Sequence, residues 1–552
     1  MHSLIILLIY YWLITFSLVG YGILFNQVFL KSSENDIGYV GFYGVFILIL
    51  FSYISSFFIP HTELFNSIIL SIGLINILIN KEKNILKNNI KKLLIVFFIL
   101  TIFILLAKNH DDFPYYHFPY THLLTEYSNM IGLGNFNHGF RTHSSIFYLS
   151  SLFNLPYSNF FLLHLSPVFF MGFANIILYN KISLYFEAKK PSYILYLSLL
   201  SFVFINVFFV RLGEHGTDRS AMILIIIIII ELLYLTNKKK IVDKNSFLKL
   251  LVFVTLIISL KTFYVLYVLL LIPLIFYFNK NKVSLIFFFK NKITYLCLFM
   301  IMSLFTVNFF NSGCLLYPVK LTCFDNFSWS IPISEVEQMN NWYQQWAKAG
   351  ANPNFRVENP EIYIKNFNWV SNWIDMYFFN KVSDFLLGLS FLCLVVWLTF
   401  FSKKTNKSSN PKFWLLYLII IFLTVEWFYL LPTLRYGGYH LIALLLFIPL
   451  SIHLSKYSIN TKILKKKIFF IIFLTIIIFL SRNISRINKE YHNYSYDILN
   501  NAFYWDDQKN FKIYDKIKKL NKCHIKKDLN LCSDYNIRVK FLNNSYIYYR
   551  KN

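Results

Sequence analysis

Apolar runs of bilayer length recur from one end of this chain to the other, and no other feature limits its fold so severely. The stretch LLIVFFILTIFILLA, Leu93 to Ala107, carries no charged side chain at all. A helix of about 20 apolar residues spans a bilayer core. Inside hydrocarbon no water satisfies backbone N–H and C=O groups, so each such run must be helical. Of the 552 residues, 57% are hydrophobic and only 14% charged, against roughly 25% charged in a soluble domain. Mean hydropathy is +0.51. The expectation is an all-α polytopic membrane protein, not a soluble enzyme with one anchor. The first apolar run lacks a basic leader and a small-residue cleavage site, so it reads as a retained span.

The net charge of +26 is distributed in short clusters between the runs. They are Lys81–Lys92, Lys181–Lys190, Asn237–Lys244, Asn279–Lys282 with Lys290–Lys292, Lys403–Lys412 and Lys462–Lys467. Nucleic-acid binding would gather basic residues on one folded module, so no nucleic-acid partner is expected. Cytoplasmic loops collect Lys and Arg. Placing every cluster in the cytoplasm gives a consistent alternation of about 14 spans with both termini outside, a bundle of about 12–14 transmembrane helices. Phe247 to Phe278 is too long for one span and short for two, which predicts two short helices meeting near Lys261. The domain division is a transmembrane unit over 1–480, with large outer loops at roughly 108–155 and 311–380, and a small outer tail over 481–552 of short helices or strands.

The outer face then receives nearly every unusual polar motif. Asp111 and Asp112 leave a span and lead into DDFPYYHFPY. A carboxylate at that depth can accept a proton from a sugar hydroxyl. Tyr115, Tyr116, His117 and Tyr120 can bond hydroxyls and stack on pyranose faces. The alternative is that adjacent acids merely end a helix. RLGEHGTDRS brings Glu214, His215, Asp218 and Arg219 between two spans, either a functional set or a solvated turn. Lys261 lies in an otherwise apolar run, where a Lys costs roughly 2.5–3.5 kcal/mol at the bilayer centre. It needs an anionic partner or a phosphate, unless it snorkels from a turn. PTLRYGG sets Arg435 at the head of a late span, suited to bidentate phosphate recognition or to anchoring. The long loop ends in EVEQMNNWYQQWAKAG, an amphipathic helix whose Trp and Tyr content suits the interface. That helix reads as packing and positioning.

Six cysteines divide by place. Cys297 and Cys393 lie in apolar runs and read as inert. Cys314 with Cys323 and Cys523 with Cys532 have equal spacing on the outer side, which predicts two disulfides. A four-cysteine zinc site is the alternative, though the pairs are far apart and not knuckle-spaced.

An acidic motif after an early span, a second acidic turn and an Arg heading a late span together resemble the GT-C class of membrane glycosyltransferases. More narrowly the chain is similar to a bacterial family of GT-C-like membrane proteins, through DFPYYH, IGLGNFNHGFRTHSS, GTDRS, SLKTFY, NSGCLLYP, WSIP and PTLRYGG. The resemblance covers almost the whole chain. It implies a GT-C-like bundle with interfacial helices in a bacterial inner membrane, its active site facing the periplasm. It implies a polyprenyl-phosphate-linked sugar donor and a glycan or lipid acceptor. Asp112 would be the general base, with Asp111 the near alternative. Arg435 and Lys261 would contact the donor phosphate, and Glu214 and Asp218 the acceptor or metal side. Tyr116, His117, Arg219 and Arg141 are further candidates for holding substrate. It fixes no cofactor, and a divalent metal is left open, because the acidic motif is DD followed by Phe and no WWD-type acceptor motif occurs.

Two rivals remain. A surface-polysaccharide polymerase or ligase would rely on arginines in large outer loops, which are scarce in Asn311–Asn380. A lipid-linked-sugar flippase would bury ionisable groups through several midplane helices, often with repeats. No internal repeat is evident, and the ionisable groups are expected at one face.

Overall fold

The computed structural model describes residues 2–30, 36–79, 83–106, 112–158, 161–186, 192–210, 212–236, 244–280, 286–352, 354–405, 413–497, 499, 512–526 and 536–550. Of Leu212–His215 it describes the backbone alone.

Helices α1 (His2–Phe25), α2 (Ile37–Ser56), α3 (Glu63–Ile79) and α4 (Lys83–Ile104) open the chain. Glycines let α1 lie unusually close to its neighbours. A Cβ on Gly44 of α2 would stand 1.8 Å from the Leu18 carbonyl oxygen, and one on Gly20 1.8 Å from that of Gly73. Small residues at such contacts are the usual route to close packing of apolar helices. The first polar segment holds α5 (Phe118–Glu126), a two-residue strand β1 (Met130–Ile131) and α6 (Ser145–Ser151).

Then come α7 (Ser166–Ser183), α8 (Tyr193–Phe208), α9 (Leu212–Thr236) and α10 (Lys244–Leu260). Helix α9 is the centre of the molecule. Its run Met222–Ile230 is buried on every face, as a helix apolar all round must be. It packs against α7, α8 and α10. Helix α10 stops at Leu260, Lys261 is extended (φ −155°, ψ 119°), and a 3₁₀ stretch, Thr262–Leu271, leads into α11 (Ile272–Lys280). The break expected near Lys261 therefore falls on that residue.

Helices α12 (Ile286–Phe289) and α13 (Lys292–Ser312) precede the long loop. Asn291 caps α13 by accepting from the Ile293 N–H at 2.9 Å. Gly313, at φ 81°, ends it with a left-handed cap. The loop contains α14 (Ile333–Lys348), α15 (Pro360–Ile364) and α16 (Val370–Trp373), which runs on through a π-helical stretch into α17 (Ser383–Phe400). Helices α18 (Trp414–Leu430), α19 (Gly438–Leu454) and α20 (Thr461–Tyr494) follow, and α20 passes unbroken across residue 480.

Helix α21 (Lys512–Lys526) and the hairpin β2 (Ile537–Leu542) and β3 (Ser545–Arg550) end the described chain. Asn543 and Asn544 make the two-residue turn with φ 47° and 59°, as a tight hairpin requires. Strand β3 also pairs in parallel with β1, giving the order β1-β3-β2. The tail is thereby joined to the first polar segment.

Among the described residues five helical segments are long and apolar enough to cross a membrane: Ser3–Leu30, Ile37–Ser56, Gly216–Thr236, Lys292–Ser312 and Val370–Phe400. Six shorter helices among the described residues are also apolar. The peripheral helices turn apolar stripes outward, such as Leu64, Ile68, Ile72 and Ile75 on α3, and Leu387, Phe391, Leu394 and Leu398 on α17. Their spacing puts each set on one helical face. Contiguous apolar surface on this scale is compatible with a membrane protein.

Candidate functional site

Four separate segments bring two acids and two cations together. Asp112 stands at the head of a π-helical turn, Phe113–His117, with Pro114 in its first positions. Asp218 lies in the second turn of α9 and is fully buried. Lys261 occupies the break after α10. Arg435 sits in a 3₁₀ turn, Leu434–Tyr436, between α18 and α19.

That last turn is held from three sides. Trp373 Nε1 donates to the Pro432 carbonyl at 2.8 Å, Tyr377 Oη accepts from the Leu434 N–H at 3.0 Å, and Trp427 Nε1 donates to the Thr433 carbonyl at 2.7 Å. Gly438 is needed there because a Cβ would meet the Trp427 ring at 2.4 Å.

Arg435 donates from Nη2 to Asp112 Oδ2 at 2.6 Å and from Nε to Asp218 Oδ2 at 2.8 Å. Lys261 Nζ lies 2.9 Å from Asp218 Oδ1. The cluster is neutral, with two charges of each sign. Burial disfavours the Arg435 charge, but Asp218 leads the neighbours that more than restore it. Asp112 and Arg435 are each about a quarter exposed, whereas Asp218 is 1% exposed at its side chain. The inner acid is thus fixed and the outer pair faces open space.

Buried polar atoms without a protein partner adjoin this cluster. They are His117 Nε2 and Tyr264 Oη. Buried polar groups normally find a partner, so a set of orphans beside a charged cluster marks a place for a polar ligand or water. Burial pushes His117 down to about 3, so its imidazole is neutral at ordinary pH. Tyr116 packs edge-on against His117 at 4.3 Å. Burial, with Asp112 next, raises the Tyr116 phenol well above the usual range. Tyr436 completes the wall, its ring 5.5 Å from Lys261 Nζ and 5.8 Å from the Trp346 ring.

Arg219 and Arg141 make other contacts. Arg219 stacks over Phe209 at 5.9 Å. Arg141 is buried outside the cluster: it donates to the Gly134 carbonyl at 2.9 Å, to Tyr317 Oη at 3.0 Å and to Glu335 at 2.7 Å. Glu335 also receives Arg550, at 2.5 and 3.0 Å. Burial works to raise the Glu335 carboxyl, but the two arginines hold it below the usual carboxylate range. The Glu214 side chain and the whole of Asp111 lie outside the described residues. Cys314 and Cys323 are joined, with S–S 2.08 Å. Cys532 and the Cys523 side chain lie outside the described residues. Cys297 and Cys393 are free. Among the described residues no three His, Cys, Asp or Glu side chains converge to hold a metal.

One expectation is corrected. The ionisable groups do not all gather at one face. Glu231, at the far end of α9, bonds Lys181 at 2.5 Å, Lys249 at 3.0 Å and Tyr39 Oη at 2.8 Å. It lies 13 residues beyond Asp218, a rise of about 20 Å along the helix. An acid closing the apolar run Met222–Ile230 was a readable signal, since an ionisable group in such a run needs a named partner.

Residues 4–442 match a family described as a domain of unknown function, DUF8201, and the chain belongs to that family. All four members of the Asp112–Arg435–Asp218–Lys261 cluster fall within the match, while α20, α21 and the β2–β3 hairpin lie beyond it. No curated protein and no solved structure matches the chain.

Proposed function

We propose that this DUF8201 member is an integral membrane glycosyltransferase of the GT-C kind. It moves a sugar from a polyprenyl-phosphate donor to a glycan, lipid or protein acceptor on the extracytoplasmic face. Its bundle has about 12–14 spans in a bacterial inner membrane, and the Asp112 cluster faces the periplasm. The observation that carries this reading is the meeting of Asp112, Arg435, Asp218 and Lys261 from four distant segments, half-open on the Asp112 side.

The chemistry follows from those positions. Asp112 accepts the proton of an acceptor hydroxyl. The freed oxygen attacks the anomeric carbon with inversion, and the bond from that carbon to the phosphate oxygen breaks. The leaving polyprenyl phosphate takes the electron pair. Arg435 and Lys261 stabilise its growing charge, and fixed cations cost no reorganisation at that moment. Asp218 holds both cations in place. A donor phosphate competes with Asp112 for Arg435 Nη2, so donor binding releases the base.

The test is transfer by purified protein in proteoliposomes with polyprenyl-phosphate sugar. Asp112→Asn abolishes product while expression is unchanged, and Arg435→Ala chiefly weakens donor saturation. Near-normal product from the first variant excludes Asp112 as base, and unchanged donor saturation in the second removes the phosphate role.

The second ion cluster favours one other reading, a flippase for lipid-linked sugar, because it buries charge at another depth. Movement of donor across sealed vesicles without any acceptor distinguishes the two.

A further inference from the structure

Helix α14 is clamped at both ends by charged side chains, half-buried at its start and buried at its end. Near its start Glu335 is held between Arg141 and Arg550. At its end Lys348 is buried, donates to the Ile364 carbonyl at 2.8 Å and sits 5.5 Å from the Trp369 ring and 5.3 Å from that of Tyr429. Burial pushes the Lys348 amine down to about 8. A helix that merely floats on a membrane surface has no use for such fixing.

What the clamps hold is a row of rings. Trp342 and Trp346 are one turn apart, so they share a face. Both are half-buried. Trp346 meets Tyr436 at 5.8 Å, and Tyr436 adjoins Arg435. Trp342 meets His138 at 5.8 Å, and His138 meets Tyr115 at 5.8 Å. Tyr115 is 42% exposed and stands three residues after Asp112. Both ends of this set of rings approach the cluster, Trp346 through Tyr436 beside Arg435 and Trp342 through His138 and Tyr115, three residues after Asp112. Flat aromatic faces with N–H and O–H edges match a pyranose, which has an apolar C–H face and polar rims. Rings already fixed lose little freedom on binding.

We propose that α14 is a carbohydrate platform, on which Trp342 and Trp346 stack against a pyranose of the acceptor glycan and present its hydroxyl toward Asp112. It rests on the glycosyl-transfer reading for the fate of that sugar, while the binding itself needs no turnover.

The experiment applies full-length protein, in nanodiscs of plain phospholipid, to a printed array of bacterial surface glycans. The wild type retains a subset of glycans. Trp342→Leu and Trp346→Leu keep apolar bulk but lose the ring, and retention falls roughly tenfold for each. Trp342→Tyr restores a part of it. Thermal melting of each variant, recorded in the same nanodiscs, matches the wild type. Retention of no glycan by the wild type overturns the platform, and so does undiminished retention by the Trp342→Leu protein. A wild type that retains glycans yet transfers no sugar sinks the reaction and leaves the platform standing.

Discussion

Asp218 is the residue on which the cluster turns. It is buried between Lys261 and Arg435, and removing one partner of a buried ion set leaves charge uncompensated. Asp218→Ala is expected to cost about 3–5 kcal/mol, read as a lower thermal midpoint in detergent. Lys261→Met in the same chain recovers part of that loss, because it removes one of the stranded charges. An Asp218→Ala protein as stable as the wild type excludes the ion set.

Buried imidazoles give a second prediction. Burial pushes His61, His117 and His143 each down to about 3 from the ordinary 6.5. Between those values the unfolded chain binds protons that the folded chain refuses. Stability is therefore full above pH 6.5 and declines as pH falls toward 3, by about 1.4 kcal/mol per histidine per pH unit well inside that window. Thermal midpoints at pH 7.5 and 5 measure it, and His143→Gln flattens the slope. The acids and cations were legible as oddities in an apolar chain, since charge in hydrocarbon demands a reason. Their pairing was not, because nothing local in RLGEHGTDRS names Lys261 or Arg435 as partner. Arg141 shows another pairing that no local signal names: a conspicuous arginine beside the first motif bonds Tyr317 and Glu335.

Among the elements, the ones written in a single stretch were readable. The division at Lys261 follows from a run too long for one span, and α14 follows from its amphipathic pattern. The pairing of β3 with Met130–Ile131 was not readable, because strands 416 residues apart share no local signal. That pairing, with Arg550 on Glu335, makes the tail a brace for α14. Arg550→Ala should raise amide hydrogen exchange over 333–348 and leave α9 unchanged. Unaltered exchange across α14 would show that the brace carries no load.

For the molecule as a whole, composition was enough to give a predominantly helical chain, because backbone in an apolar setting has few other solutions. The number of spans is harder to read, since apolar runs include short and broken helices as well as long ones. The sidedness expected from the lysine clusters has a direct check. Cysteines replacing exposed Tyr115 and Glu337 are expected to react with an impermeant maleimide from outside intact cells, and one replacing exposed Lys404 only after lysis. Labelling of Tyr115→Cys and Lys404→Cys from the same side would overturn the topology. Helix α9, finally, is riveted at Asp218 and again at Glu231. A piston stroke of even one residue along its axis would tear both sets of rivets at once. The central column therefore stays put, and any opening of the bundle must come from peripheral helices swinging away from it.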